Sequence, residues 1–396
     1  MNLGNPLAWF LVCGACLLLG AALSRTAFYR SRALEETNRF EAIDGLRGFL
    51  ALAVFGEHAV DMYAWRAEGL WSTHHGPFYL LLSGVGVSLF FQITAFLFWL
   101  RVLRKGGRLD TQAFFASRLR RLVPMYLVSV AMVFAVIFAA SGFVLHESPV
   151  ELARELRPWL SFGFMSGHDV NGVHAKPINA VYWTLAYEWT FYLALPLLAL
   201  FAKGRLPLLL VAGALFFGTQ TQVIYNFLFG AIVATLVHSR RLEGRLRAAW
   251  LAPLPLAALV AWFAWPGASD LRVVGDLRLF GDLLRAGLLG VFFLFVAHGY
   301  DLFGLLRTRA ANVLGTISYS LYLTHSIVLY VVVGAADTVM PIARLDAVQY
   351  WTVAAVAALA CVALSALTYR YVEYPFLRRS ANAPQASPAP AVGLAA

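Results

Sequence analysis

The chain has 396 residues, of which 60% are hydrophobic and 13% are charged. Water-soluble domains are about half apolar and about a quarter charged, so this composition excludes a soluble globular protein. The formal net charge is +10, but Lys and Arg residues between apolar segments usually fix membrane topology. We therefore interpret the positive charge as a topology signal and do not expect nucleic acid to be a partner.

Apolar segments of about 18 to 25 residues, each long enough to cross a hydrocarbon core of about 30 Å as a helix, alternate with short polar segments. We predict an all-α fold, a polytopic transmembrane helical bundle of about eleven transmembrane helices. The separation of the sixth and seventh spans rests on the short polar segment 218–222. The predicted spans cover residues 7–24, 46–64, 78–103, 122–143, 183–201, 206–221, 222–238, 249–265, 282–299, 312–333 and 348–372.

The basic residues predict the orientation of these spans. Of the 31 Lys and Arg residues, 23 fall in segments on one side of the predicted bundle, seven fall on the other, and Arg285 lies within the ninth span. Because positive residues concentrate in cytoplasmic segments, the chain is expected to be N-out/C-in. The three cysteines lie inside apolar spans, so we expect neither a disulfide framework nor a metal site.

The second span places an arginine and a histidine on one helix face. Arg47 and His58 are eleven residues apart in IDGLRGFLALAVFGEHA, which gives three helical turns plus about 20° and a rise of about 16 Å. An ionisable residue in the hydrocarbon region costs about 2.5–3.5 kcal/mol, so it indicates function unless a structural partner satisfies it. The alternative role for His58 is an interhelical hydrogen bond.

Two later spans carry further polar residues at helical spacing. Glu188 lies one turn after Thr184 in the fifth span, where it either braces two helices or orients a catalytic histidine. Ser318, Tyr322 and His325 form one stripe on the tenth span, where small polar residues also serve helix packing. We expect Arg47, His58, Glu188 and His325 to converge on a shared cavity.

A cluster of arginines precedes the fourth span. Arg118, Arg120 and Arg121 lie together in FFASRLRRLVPMY. They would anchor the helix on the positive side of the membrane, or they would bind phosphate, because guanidinium groups make bidentate contacts with phosphate oxygens. An anionic cytosolic donor such as acyl-CoA suits the second reading. A histidine with an ordinary pKa of about 6.5 suits proton abstraction from a hydroxyl.

In these motifs the sequence resembles the membrane acyltransferase 3 family, whose members acylate surface polysaccharides, lipopolysaccharide, peptidoglycan and some small glycosides. The resemblance covers about residues 39 to 378. The motifs are Asp44-Gly45-Leu46-Arg47-Gly48 with His58, Arg118 to Arg121 before Pro124, Trp183-Thr184-Leu185 to Glu188-Trp189-Thr190-Phe191-Tyr192, Ser318-Tyr319-Ser320-Leu321-Tyr322-Leu323 before His325, and Tyr369-Arg370-Tyr371-Val372-Glu373 before Pro375.

The resemblance implies roles for these residues. It makes Arg47 and His58 the central pair, with His58 the catalytic base or transient acyl carrier, supported by Glu188 and His325 as catalytic residues. Arg47, Arg118 and Arg121 would bind acyl-CoA, which is a donor substrate and not a permanently bound cofactor. Ser318 and Tyr322 complete the predicted substrate-binding residues.

Two features depart from the family pattern. An extra span precedes the helix that carries Arg47, and Thr94-Ala95 stands where the family tends to have Ser-Gly. The expected organisation is an additional span and cytoplasmic linker over residues 1–38, an acyltransferase transmembrane domain over 39–379, and a disordered Ala/Pro-rich tail over 380–396.

The sequence therefore predicts an O-acyltransferase of a bacterial inner membrane, surrounded by membrane lipids. It would transfer acetyl from cytosolic acetyl-CoA to a hydroxyl of a cell-surface polysaccharide, lipopolysaccharide or lipid-linked glycan. Two alternatives stay open: the same chemistry on a macrolide, lipid or other small molecule, and a transporter or flippase that uses its buried charges for ion coupling. Whether copies associate as a homo-oligomer is also open.

Overall fold

The computed structural model describes residues 3–35, 40–71, 77–165, 169–200, 202, 223–240, 242, 251–264 and 275–381. Within these ranges the chain is helical, and its β structure is limited to an isolated bridge between Val170 and Val173. The helical class predicted from the sequence is therefore confirmed. The helices are α1 (Pro6–Ser24), α2 (Ala27–Glu35), α3 (Glu41–Glu68), α4 (Pro77–Arg104), α5 (Thr111–Ala140), α6 (Pro149–Trp159), α7 (Trp183–Leu200), α8 (Val223–Ser239), α9 (Pro253–Ala264), α10 (Gly275–Ala297), α11 (Arg309–Thr316), α12 (Ser318–Val339), α13 (Ala347–Thr368) and α14 (Tyr374–Ala381).

Five helices in the described part of the chain are long and apolar enough to cross a membrane. They are α1, α4, α5, α12 and the continuous segment that α13 forms with the following turn and α14. A membrane-spanning bundle agrees with these helices, whereas the number of eleven spans and the N-out/C-in orientation stay predictions. The sixth predicted span, 206–221, lies outside the described residues.

Helix α3 runs through the interior of the bundle. Every residue from 50 to 62 is buried, and the helix packs against α4, α11 and α12. This placement explains how α3 can hold charged side chains at depth: neighbouring helices, and not lipid, surround them. The central position of α3 brings His58 into the protein interior.

Two glycines fix the beginning of α3. A Cβ atom added to Gly45 would lie 1.9 Å from the carbonyl oxygen of Leu306, and one added to Gly315 would lie 1.9 Å from that of Asp44. Side chains cannot be accommodated at such a close approach of two backbones. These two glycines therefore allow the beginning of α3 to dock against Leu306 and against α11. This docking sets the position of Arg47.

The departure at Thr94-Ala95 leaves helix packing intact, because a glycine lies on the facing helix. Ala95 is fully buried on α4, and a Cβ on Gly230 of α8 would lie 2.9 Å from the Ala95 Cβ and 2.2 Å from the carbonyl oxygen of Gln92. The small residue that permits close approach is thus supplied by α8.

Asn171 connects several of the described residues between α5 and α7. The Asn171 amide nitrogen donates to the carbonyl oxygen of Val144 (2.8 Å), and its amide oxygen accepts from the backbone N–H of His146 (2.8 Å). Glu155 on α6 accepts from the backbone N–H of Asn171, and Tyr126 on α5 donates to the carbonyl oxygen of Trp159. These contacts hold α6 and the following chain against α5.

Candidate functional site

Two buried histidines from different helices form a hydrogen-bonded pair. His58 Nδ1 on α3 lies 2.7 Å from His325 Nε2 on α12, and the two rings are nearly parallel with centroids 5.0 Å apart. His325 is fully buried, and its Nδ1 lies 2.8 Å from the carbonyl oxygen of Tyr322. The structure thus brings together two of the predicted catalytic residues.

This geometry decides which nitrogen carries the proton when both imidazoles are neutral. The carbonyl oxygen of Tyr322 only accepts, so His325 carries its proton on Nδ1 and its Nε2 accepts. His58 must therefore donate from Nδ1, which leaves a lone pair on His58 Nε2. An imidazole oriented in this way is prepared to take a proton from a hydroxyl.

His58 lines a cavity of about 930 Å³, called the histidine cavity below. Besides His58, its wall includes Glu57 and Asp61 of the same helix, and Trp71, whose ring centroid lies 5.9 Å from that of His58. Glu57, His58 and Asp61 each offer a ligand atom, and these atoms lie within 4.8 Å of one another. The spacing would accommodate a cation, although the sequence had led us to expect no metal site.

A second cavity of about 320 Å³, called the arginine cavity below, collects six of the eight predicted site residues. Glu188, on α7, accepts a hydrogen bond from the Tyr192 hydroxyl. The predicted residues on the wall are Arg47, Arg118, Arg121, Glu188, Ser318 and Tyr322.

The arginines of this cavity are held in different ways. Arg121 makes an ion pair of 2.8 Å with Glu373, whose side chain is fully buried and also accepts from Ser320. Arg118 lies over the ring of Phe98 at 4.6 Å, and Arg47 lies 3.6 Å from Asp44. Three guanidinium groups on one cavity wall offer several N–H donors that suit phosphate oxygens, although Asp44, Glu188 and Glu373 lie among them.

The two cavities lie toward opposite ends of α3, and their walls share no described residue. On the wall of the arginine cavity, the Thr184 hydroxyl donates to the carbonyl oxygen of Val181 (2.8 Å), so the Tyr322 hydroxyl donates to Thr184 (3.0 Å). Trp183 lines the histidine cavity, and its neighbour Thr184 lines the arginine cavity. The four residues expected at one cavity are therefore distributed: Arg47 and Glu188 line the arginine cavity, His58 lines the histidine cavity, and His325 is on neither wall.

Three acidic residues at these sites were not predicted from the sequence. Glu57 and Asp61 flank His58 on α3, and both are charged residues in an apolar segment, which is the signal that led to His58 itself. Glu373 lies at the end of a wide π-helical turn, Tyr369–Glu373, that joins α13 to α14. Its pairing with Arg121 connects positions far apart in the sequence, and no local pattern indicates it.

Comparison with known proteins identifies the family of the chain. A family model described as an acyltransferase domain matches residues 40–370, so the chain belongs to that family. It is a membrane acyltransferase, an enzyme that transfers acyl groups, and this assignment decides against the transporter alternative.

The chain is similar to Nodulation protein 10 of Rhizobium leguminosarum bv. viciae, with 25% identity over 368 residues, 85% of this chain and 92% of the relative. It is also similar to Exopolysaccharide production protein ExoZ of Rhizobium meliloti (strain 1021), with 27% identity over 323 residues, 75% of this chain and 90% of the relative. A protein of Acidianus two-tailed virus whose name contains the term acetyltransferase is 27% identical over 216 residues, 53% of this chain and 55% of its own. No solved structure matches the chain.

Proposed function

We propose that this acyltransferase transfers acetyl from cytosolic acetyl-CoA to a hydroxyl of a cell-surface polysaccharide, lipopolysaccharide or lipid-linked glycan. The observation that supports the proposal is that side chains of different chemistry line the two cavities. One is lined by three arginines that suit an anionic donor, and the other by an oriented imidazole that suits a hydroxyl acceptor. The proposed location is a bacterial inner membrane.

The donor fits the arginine cavity on grounds of charge. Coenzyme A carries phosphates, and arginine binds phosphate oxygens through bidentate hydrogen bonds. Arg118 and Arg121 are three residues apart on α5 and therefore lie on one helix face. The N-out/C-in prediction places this end of α5 at the cytosol, where acyl-CoA is available.

His58 Nε2 acts as the base that activates the acceptor. This nitrogen takes the proton of the acceptor hydroxyl, whose oxygen attacks the thioester carbonyl. The carbon–sulfur bond breaks, the thiolate of coenzyme A leaves, and His58 passes the proton taken from the hydroxyl to that sulfur. Because the arginines and His58 line different cavities, the thioester either reaches from one cavity toward the other, or the acyl group passes first to a protein side chain and then to the acceptor.

The glycan class of the acceptor is supported by the relatives. One of them is named for exopolysaccharide production and is covered over 90% of its length. We extend that class of substrate to this chain, and the name of the viral relative supports acetyl as the transferred group.

The test is direct transfer by the purified protein in nanodiscs, incubated with radiolabelled acetyl-CoA with and without total cell-surface glycan. Label is expected in the glycan with the wild type, whereas His58→Ala should lower the rate by about 10²–10⁴-fold, the usual contribution of a general base. Normal transfer by this variant at normal folded yield would remove His58 from catalysis. Label that enters only a small-molecule or lipid fraction would replace the glycan acceptor.

A further inference from the structure

Three buried polar atoms on residues of the histidine cavity lack a hydrogen-bond partner among the described residues. They are Asp61 Oδ1, Trp159 Nε1 and Asn179 Nδ2. Asp61 and Trp159 are each only 3% exposed. Buried polar groups in native proteins are almost always paired by protein, water or ligand. One acceptor and two donors around the same cavity therefore indicate a ligand that both donates and accepts hydrogen bonds.

The charges of the cavity wall restrict what that ligand can be. Glu57 and Asp61 are buried carboxyl groups beside His58, and Lys176 faces Asp61 from the segment before α7. A ligand carboxylate or phosphate buried beside these two acidic groups would lose its hydration without gaining an arginine partner. A hydroxyl is uncharged and both donates and accepts, so it satisfies the Asp61 oxygen and the two N–H groups without that cost.

Aromatic rings complete the wall. Trp71, Trp159 and Trp183 all line the histidine cavity, and Trp71 lies beside His58. An indole combines a broad flat apolar surface with one N–H donor. A sugar ring has the matching shape, because its face carries C–H groups while its edge carries hydroxyls. The ring of Trp71 is placed to hold such a unit beside the imidazole of His58.

We propose that the histidine cavity binds an uncharged, hydroxyl-rich sugar unit of the acceptor through Asp61, Trp159 and Asn179. The same cavity discriminates against units that carry a carboxylate or a phosphate. This inference rests on the proposed function and specifies which part of a glycan the enzyme modifies.

The site of modification tests the charge selectivity. The gene is deleted in the cells that produce the protein, the wild-type gene is returned, and acyl esters on the released surface glycan are located by mass spectrometry and NMR. The esters that disappear on deletion are expected on uncharged sugar units. Esters on a uronic acid or a phosphorylated unit would overturn the inference. If no glycan ester disappears, the proposed function fails, and the two failures are thus distinguished.

Matched tryptophan variants test the binding residues. Trp159→Phe removes an unpaired indole N–H at the cavity, and Trp189→Phe removes a comparable buried and unpaired N–H that lines neither cavity. With deacylated glycan from the deletion strain as acceptor, Trp159→Phe is expected to raise the acceptor KM about threefold to tenfold. Its KM for acetyl-CoA and its folded yield should stay unchanged, as should every parameter of Trp189→Phe.

Three results would contradict this assignment. If Trp159→Phe and Trp189→Phe alter the acceptor KM equally, or if Trp159→Phe changes only the KM for acetyl-CoA, the cavity does not bind the acceptor. Removal of free divalent cations with EDTA should leave transfer unchanged. A loss of transfer that Mg²⁺ or Ca²⁺ restores would assign Glu57 and Asp61 to a cation in place of a sugar.

Discussion

Replacement of His325 by alanine removes the acceptor for the Nδ1–H of His58. In the wild type, the bond of 2.7 Å between the rings keeps the proton of His58 on Nδ1 and leaves Nε2 free to act as a base. Without His325, a proton on Nδ1 would be buried and unpaired, whereas a proton on Nε2 would face the cavity. The balance between the two tautomers should therefore shift toward the form that cannot accept the proton of the acceptor.

The cost of leaving a buried donor unpaired sets the size of this effect. That cost is about 1–3 kcal/mol, and each 1.36 kcal/mol corresponds to a factor of ten in rate. We therefore expect His325→Ala to lower kcat by about 5-fold to 150-fold. His325 acts through His58 in this argument, so it is a positioning residue whose loss should cost no more than the loss of the base itself.

The assay is the nanodisc transfer reaction, with kcat and both KM values measured beside the folded yield. His325→Gln is the matched control, because the amide oxygen of glutamine can accept the Nδ1–H of His58 and should restore part of the rate. A His325→Ala protein that folds normally and retains the wild-type kcat would refute the reasoning. Equal losses in the Ala and Gln variants would also do so, since they would show that the hydrogen bond is irrelevant.

Further predictions concern the donor site, the buried ion pair and the topology. Arg118→Ala should raise the KM for acetyl-CoA about tenfold at unchanged folded yield, because it removes one charge-assisted hydrogen bond. An unchanged KM with a lower folded yield would show that Arg118 serves topology instead. Glu373→Gln leaves the Arg121 guanidinium without its buried partner and should destabilise the protein by about 3–5 kcal/mol, seen as a lower Tm in detergent, which an unchanged Tm would contradict. The N-out/C-in prediction expects a membrane-impermeant maleimide to label Leu145→Cys in intact cells and Arg108→Cys only after lysis. The native cysteines are buried and should add little background. The reverse labelling would show the opposite orientation.

Helical periodicity is the reason that sequence reasoning could group so many site residues. Ser318 and Tyr322 are one turn apart on α12 and face the same cavity, as their spacing predicts. The same geometry also indicates that Arg47 and His58 do not share one small ligand, because a rise of about 16 Å exceeds the reach of two side chains. The structure places them in different cavities for that reason.

Other features had a sequence signal that was not used. Helix α6 lies between the fourth and fifth predicted spans, where no helix was predicted. Ser148 caps it, Pro149 begins it and Glu151 follows in its first turn, a combination typical of a helix N-terminus. Asp61 lies one turn after His58 and is a charged residue in an apolar span. The Arg121–Glu373 pair is different, because it depends on how α5 and the turn after α13 pack together, which spacing along the chain does not encode.

The separation of the two cavities along α3 has a consequence for how the cell would use this protein. If coenzyme A occupies the arginine cavity and the sugar occupies the histidine cavity, the charged part of the carrier stays on the donor side of the protein. Only the acyl group, either alone or on the uncharged thioester arm of the carrier, has to pass from one cavity to the other. The reaction would thus be directional, because coenzyme A and the acylated sugar leave from opposite ends of α3.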